Sequence, residues 1–144
     1  MLRNLIFLMA SLFASAWANA QEPVAAAPAP VVNEAENILH LDLSTGGRVS
    51  IKLYADIAPA HIDRVKTLTR QGFYNGVVFH RVIDGFMAQT GCPQGRGTGQ
   101  SKHPNLPAEF NAESHVRGVC SMARSSMPNS ANSQFFICLD DATF

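Results

Sequence analysis

Two polar residues, Arg81 and Gln89, interrupt the apolar run FHRVIDGFMAQTG at positions 79–91. Either they point to water by simple alternation, or they line an apolar hollow that needs a few placed polar groups, as ligand grooves do. Strand alternation sets Phe79, Arg81 and Ile83 against His80 and Val82, and it sets Phe86, Ala88 and Thr90 against Met87 and Gln89. No assignment puts every polar side chain on one face of the hairpin and every apolar one on the other. SQFFIC at 133–138 behaves alike, with Gln134, Phe136 and Cys138 against Phe135 and Ile137. A sheet apolar on one side and mixed on the other predicts a packed interior with an apolar groove on its exterior.

Other chemistries fit the sequence poorly. GCPQGRGTGQSK, residues 91–102, lacks the GK[ST] ending of a phosphate loop and leads into more loop rather than a helix N-terminus. Cys92, His103, His115 and Cys120 are too scattered for a zinc site. Ser125, Ser126 and Ser130 have no nucleophile-elbow context. His80 is expected in a strand core, hydrogen-bonded within the fold. The three cysteines are an odd count without a CxxC pair, so no disulfide framework follows. Cys120 and Cys138 read as buried free thiols, and Cys92, in a turn-rich stretch, as exposed. Neither a metal nor a cofactor is expected.

The elements that must position Arg81 and Gln89 are short. Leu39, Leu41 and Leu43, then Val49, Ile51 and Leu53, alternate with polar residues around Gly46-Gly47, which predicts a β-hairpin. Pro59 suits a first helical turn, Ile62, Val65, Leu68 and Thr69 share a helical face, and Gly72 is a natural stop, so a helix is predicted over 59–71. Strands are predicted at Val77–Val82 and Phe86–Thr90 around a turn at Asp84-Gly85, and again at Gly118–Ala123 and Gln134–Leu139. The glycine- and proline-rich stretch 91–108 is a loop long enough to be functional or pinned by its own contacts.

One domain is what 144 residues accommodate, and zero formal net charge with no basic stripe argues against nucleic acid as the main partner. Arg3, the apolar run Leu5–Ala14 and the Ala18-Asn19-Ala20 cut site have the order of a secretory signal peptide over residues 1–20. Export, with the periplasm as destination and no stable membrane association after cleavage, is the expectation. Residues 21–36, rich in Ala, Pro and Glu, read as a semi-extended tether ahead of a domain from residue 37 onward.

FHRVIDGFMAQTG, taken with Ser121-Met122-Ala123 and Ser133-Gln134-Phe135-Phe136-Ile137, resembles the cyclophilin family of peptidyl-prolyl cis/trans isomerases. The lead-in GFYNGVVFHR matches too, and the likeness runs from about Ile38 to the end. The resemblance implies a mainly β fold, a closed antiparallel barrel with flanking helices, here without its last strands and helix. That missing portion normally supplies an aromatic wall of the pocket and a histidine beside it. About six strands cannot close an eight-stranded barrel. It implies Arg81 as the catalytic arginine and Phe86, Met87 and Phe136 as the proline pocket. It implies that Gln89 and Ala123 bind the substrate backbone and that Gln134 borders the site. Proline-containing polypeptides are the implied partners, with cyclosporin-type ligands a further class and a monomer the expected state. Cys92 and Thr90 replace acidic or smaller residues of many relatives, and Arg124 an asparagine, with consequences for the residue preferred before proline. The rival function is a non-catalytic proline-peptide-binding module or holdase, which needs the pocket but not the arginine's role in turnover.

Overall fold

Leu39 and Ile51 face each other across the first antiparallel pair, β1 (Ile38–Asp42) and β2 (Arg48–Lys52), as the alternation requires. They belong to a computed structural model that describes residues 34–142. The predicted signal peptide and residues 21–33 of the predicted tether lie outside the described residues, and Glu34–Asn37 forms a 3-10 turn leading into β1.

Helix α1 (Pro59–Arg70) begins at its proline and ends where Gly72 was expected to stop it. Gly72 takes φ +69, its N–H bonds the Thr69 carbonyl at 2.9 Å, and the Phe73 N–H bonds the Leu68 carbonyl at 2.9 Å. That pair of bonds is the Schellman closure, which glycine adopts without the Cβ penalty of a left-handed residue.

The inward stripe of α1 keeps Val65, Leu68 and the partly buried Ile62 as expected, gains His61 and loses Thr69. His61, Val65 and Leu68 are buried, whereas Thr69 is exposed and donates its hydroxyl to the Val65 carbonyl at 2.7 Å. A histidine enters the interior because Glu109 meets it there, with Oε2 2.5 Å from His61 Nδ1. The same carboxylate caps the helix. Ala58 offers no side-chain cap, and the Ala60 and His61 N–H groups donate to Glu109 Oε1 and Oε2 at 3.0 Å each. Burial alone would raise the Glu109 pKa, but these donors and His61 outweigh it and hold the carboxyl below its usual range. A carboxylate depressed in the folded state contributes stability above its unfolded pKa and loses it as pH falls through the folded one. Glu109→Gln should therefore lower unfolding stability by about 1–2 kcal/mol at neutral pH. The gap to wild type should close as the pH falls through and below the usual carboxylate range; urea unfolding at several pH values measures both.

The second sheet has the order β3-β4-β6-β5, all antiparallel, with β3 (Arg81–Ile83), β4 (Met87–Thr90), β5 (Cys120–Met122) and β6 (Phe135–Cys138). Each strand is shorter than predicted. The strand expected from Val77 joins the ladder only at Arg81, and the Val78 carbonyl instead accepts the Thr90 hydroxyl at 3.0 Å. The inner face of this sheet presents Phe135, Cys120 and Met122 to Leu39, Leu53, Val65 and Tyr74, which together form the core. Among the described residues the strands make two separate sheets, with β3 and β5 at the edges of the larger one, rather than the closed barrel that the resemblance implied.

The long loop is pinned. Ser101 N–H donates to Asn132 Oδ1 at 3.0 Å, Asn132 Nδ2 to the His103 carbonyl at 2.9 Å, and Ser133 Oγ to the Gly91 carbonyl at 2.9 Å. A polar segment just before β6, fully or nearly buried, thus holds residues 91–105 in place.

Candidate functional site

Strand register places the predicted residues in rows on the outer face of the larger sheet. Arg81 is opposite Gln89, Gln89 opposite Phe136, and Phe136 opposite Ser121. One step along the strands, Ile83, Met87 and Cys138 form a second row on the same face. One step the other way, the Ala123 N–H donates to the Gln134 carbonyl at 2.9 Å, which aligns those two residues beyond the first row. Arg81 and Phe136 are two strand spacings apart, about 10 Å, within reach of one bound dipeptide unit. Arg81 and Gln89, which alternation along a single strand could not assign to a common face, share it through the pairing of β3 with β4, while Thr90 stays on the other face opposite Phe135.

Arg81 is exposed and makes no ion pair among the described residues. Met87 is 2% exposed and Phe136 is half-buried, so the groove floor is apolar. Phe86 is partly buried at the turn into β4, where its N–H bonds the Ile83 carbonyl at 3.1 Å. Arg81, Phe86, Met87, Gln89, Ala123 and Phe136 all line one cavity of about 1060 Å³. That cavity also takes in core residues of the other sheet face, among them Leu39, Val65 and Phe135.

Gln89 and Gln134 are coupled. Gln89 Nε2 donates to Gln134 Oε1 at 2.8 Å, and Gln134 Nε2 donates to the carbonyls of Gly97 and Gly99 at 2.9 and 2.8 Å. The relay fixes both amides and leaves the Gln89 side-chain oxygen free to accept a hydrogen bond. Gln89, Ala123 and Gln134 also border a polar recess of about 250 Å³, where Arg124 is the charged residue. The Arg124 guanidinium lies 5.5 Å from the Phe110 ring centroid.

Two expectations are corrected. Cys92 is not exposed: it is 0% accessible, and its sulfur accepts the N–H groups of Gly97 and Gly99 at 3.2 and 3.3 Å. Burial pushes the thiol up, but the N–H groups of Arg96, Gly99, Gly97 and Gln94 outweigh it and hold its pKa below the ordinary value. The sulfur thus serves as a buried acceptor that gathers the turns of residues 94–99 around it. His80 is not hydrogen-bonded within the fold: both ring nitrogens are buried without a partner among the described residues, beneath Gly97. Cys120 and Cys138 are free thiols, Cys138 being buried and Cys120 half-buried. No group of three His, Cys, Asp or Glu side chains among the described residues is placed to hold a metal ion, and no described helix is long and apolar enough to cross a membrane.

Sequence reasoning missed Ser121 as the end of the Arg81 row, and it missed His115, whose ring lies against Phe136. Register alone reveals the first, once β5 and β6 are paired.

Residues 40–144 match the family model described as cyclophilin type peptidyl-prolyl cis-trans isomerase/CLD. A Brucella suis protein named "Probable peptidyl-prolyl cis-trans isomerase" is 52% identical over 120 residues, covering 76% of this chain and 61% of that protein. Bacillus subtilis peptidyl-prolyl cis-trans isomerase B is 40% identical over 96 residues, covering 66% of each. The chain spans about three fifths of the length of the Brucella relatives it matches. Among solved structures, a Cryptosporidium parvum cyclophilin crystallised in the presence of the dipeptide Ala-Pro superposes with a TM-score of 0.69 at 28% identity, over 74% of this chain and 70% of that one. A Hirschia baltica cyclophilin gives 0.67 at 27% identity, over 76% and 59%.

Proposed function

The chain belongs to the cyclophilin-type peptidyl-prolyl cis-trans isomerases, and from that premise we propose that it accelerates rotation about X-Pro peptide bonds, with Arg81 as its catalytic group. The observation that carries the reading is the row Arg81–Gln89–Phe136, set beside Met87 in one groove. Phe86, Met87 and Phe136 receive the proline ring. Gln89 and Ala123 hold the flanking backbone, and Gln134 fixes Gln89.

The chemistry asks for little else. Rotation about a peptide bond must break amide resonance, a barrier of about 18–20 kcal/mol. No bond is cleaved, so no nucleophile or general base is required. In the twisted state the prolyl nitrogen regains a lone pair. A guanidinium donor beside that nitrogen stabilises the twisted state more than either planar one, and such differential binding is what accelerates a reaction. Arginine suits the place because it stays charged at any working pH. Its freedom from ion pairs among the described residues leaves it available to the substrate. The Ala-Pro dipeptide used with the Cryptosporidium relative is the ligand chemistry this groove would take.

Secretory export is part of the proposal, supported by the charge, apolar run and cut-site order of residues 1–20. Folding of exported, proline-containing polypeptides is then the role.

NMR exchange spectroscopy on a proline tetrapeptide tests the activity directly. Sub-stoichiometric purified chain is expected to produce cis/trans exchange cross-peaks within seconds, far ahead of the uncatalysed tens of seconds or more. Peptide binding without exchange would instead mark a binding module.

A further inference from the structure

Phe136 does not stand alone in the groove. The His115 imidazole lies against it, with ring centroids 5.5 Å apart and planes inclined by 32°, a separation at which aromatic pairs attract. His115 lines the same cavity as Arg81, Phe86, Met87 and Phe136. It comes from the loop between Glu109 and β5, outside all three motifs that carry the family resemblance.

That loop is not free to carry the ring elsewhere. The Ala142 N–H donates to the His115 carbonyl at 2.7 Å, the Arg117 N–H to Asp141 Oδ1 at 2.9 Å, and the Gly118 N–H to the Cys138 carbonyl at 2.9 Å. The Arg117 guanidinium also donates to the Leu139 carbonyl. These bonds tie residues 115–118 to the end and exit of β6, the strand that carries Phe136. A ring stacked only to complete the core would be buried, whereas His115 is exposed on its outer side.

We propose that His115 forms a wall of the proline cleft, contacts the bound peptide beside Phe136 and so sets affinity rather than turnover. The proposal rests on the isomerase reading above and deepens it. The test compares wild-type chain with His115→Ala and His115→Phe, measuring tetrapeptide Kd by NMR titration and turnover by exchange spectroscopy.

His115→Ala is expected to weaken binding about three- to tenfold, with kcat within about twofold of wild type. His115→Phe is expected to restore most of the affinity, since a six-membered aromatic ring can keep the contact. Unchanged Kd in His115→Ala, or failure of His115→Phe to rescue, would overturn the proposal. Should the alanine variant not fold, nuclear Overhauser contacts between the wild-type imidazole protons and bound peptide decide the matter, and their absence overturns it. Wild-type chain that binds peptide without exchange would defeat the isomerase reading and leave His115 in its cleft; wild-type chain that binds no peptide would defeat both.

Discussion

Replacing Arg81 with alanine is expected to lower kcat for cis/trans exchange about 10- to 100-fold, while tetrapeptide affinity changes by less than about threefold. The size follows from the loss of one charge-assisted hydrogen bond made only when the amide is twisted. The split follows from geometry. The proline ring is held by Phe86, Met87 and Phe136, which the substitution leaves in place, and Met87 and Phe136 are fixed by β4–β6 pairing rather than by Arg81. Arg81→Lys should recover only part of the rate, because an ammonium lacks the planar fork that can hold two partners. Exchange rates and Kd measured on the same samples check both halves. Unchanged turnover in either variant would remove Arg81 from the mechanism.

The largest expected loss of stability comes from a glycine. Gly91 has φ +84, and a Cβ placed on it would lie 2.3 Å from the Ser133 carbonyl oxygen and 2.8 Å from Gln134 Cα. Both obstacles are backbone, so neither can rotate aside. Gly91→Ala adds the left-handed penalty of an L-residue, about 1–2 kcal/mol, to a displacement of the chain entering β6. The expected total is about 3 kcal/mol or more, a fall in Tm of roughly 10–20 °C for a domain of this size. The displaced atoms belong to Ser133, which bonds the Gly91 carbonyl, and to Gln134, which orients Gln89. A folded remnant of the variant should therefore also bind peptide more weakly. Thermal unfolding by circular dichroism reads the first effect, and an unchanged Tm would show that β4 and β6 have slack between them.

What the residues announced and what they concealed divide along a physical line. The hairpin, the helix with its proline start and glycine stop, and the strand identities were readable because each depends on local periodicity and turn chemistry. The groove was readable through the family resemblance of the motifs that carry Arg81, Met87, Gln89 and Phe136, whereas alternation alone left their common face open. The pairing that joins Arg81 to Phe136 was not, since it needs two strands 45 or more residues apart in the chain to meet across β4. His61 looked like an ordinary helix position because its partner, Glu109, lies 48 residues further on. Cys92 was read as exposed from the turn-forming residues around it, yet those same turns aim their N–H groups inward at its sulfur.

The distant cap on α1 has a consequence for how the helix assembles and opens. A helix of twelve residues is marginal in water on its own, and this one receives its N-terminal acceptor from a residue 49 positions beyond Ala60. The first turn is therefore completed only when the segment carrying Glu109 docks, and undocking of that segment and fraying of the helix start are a single event.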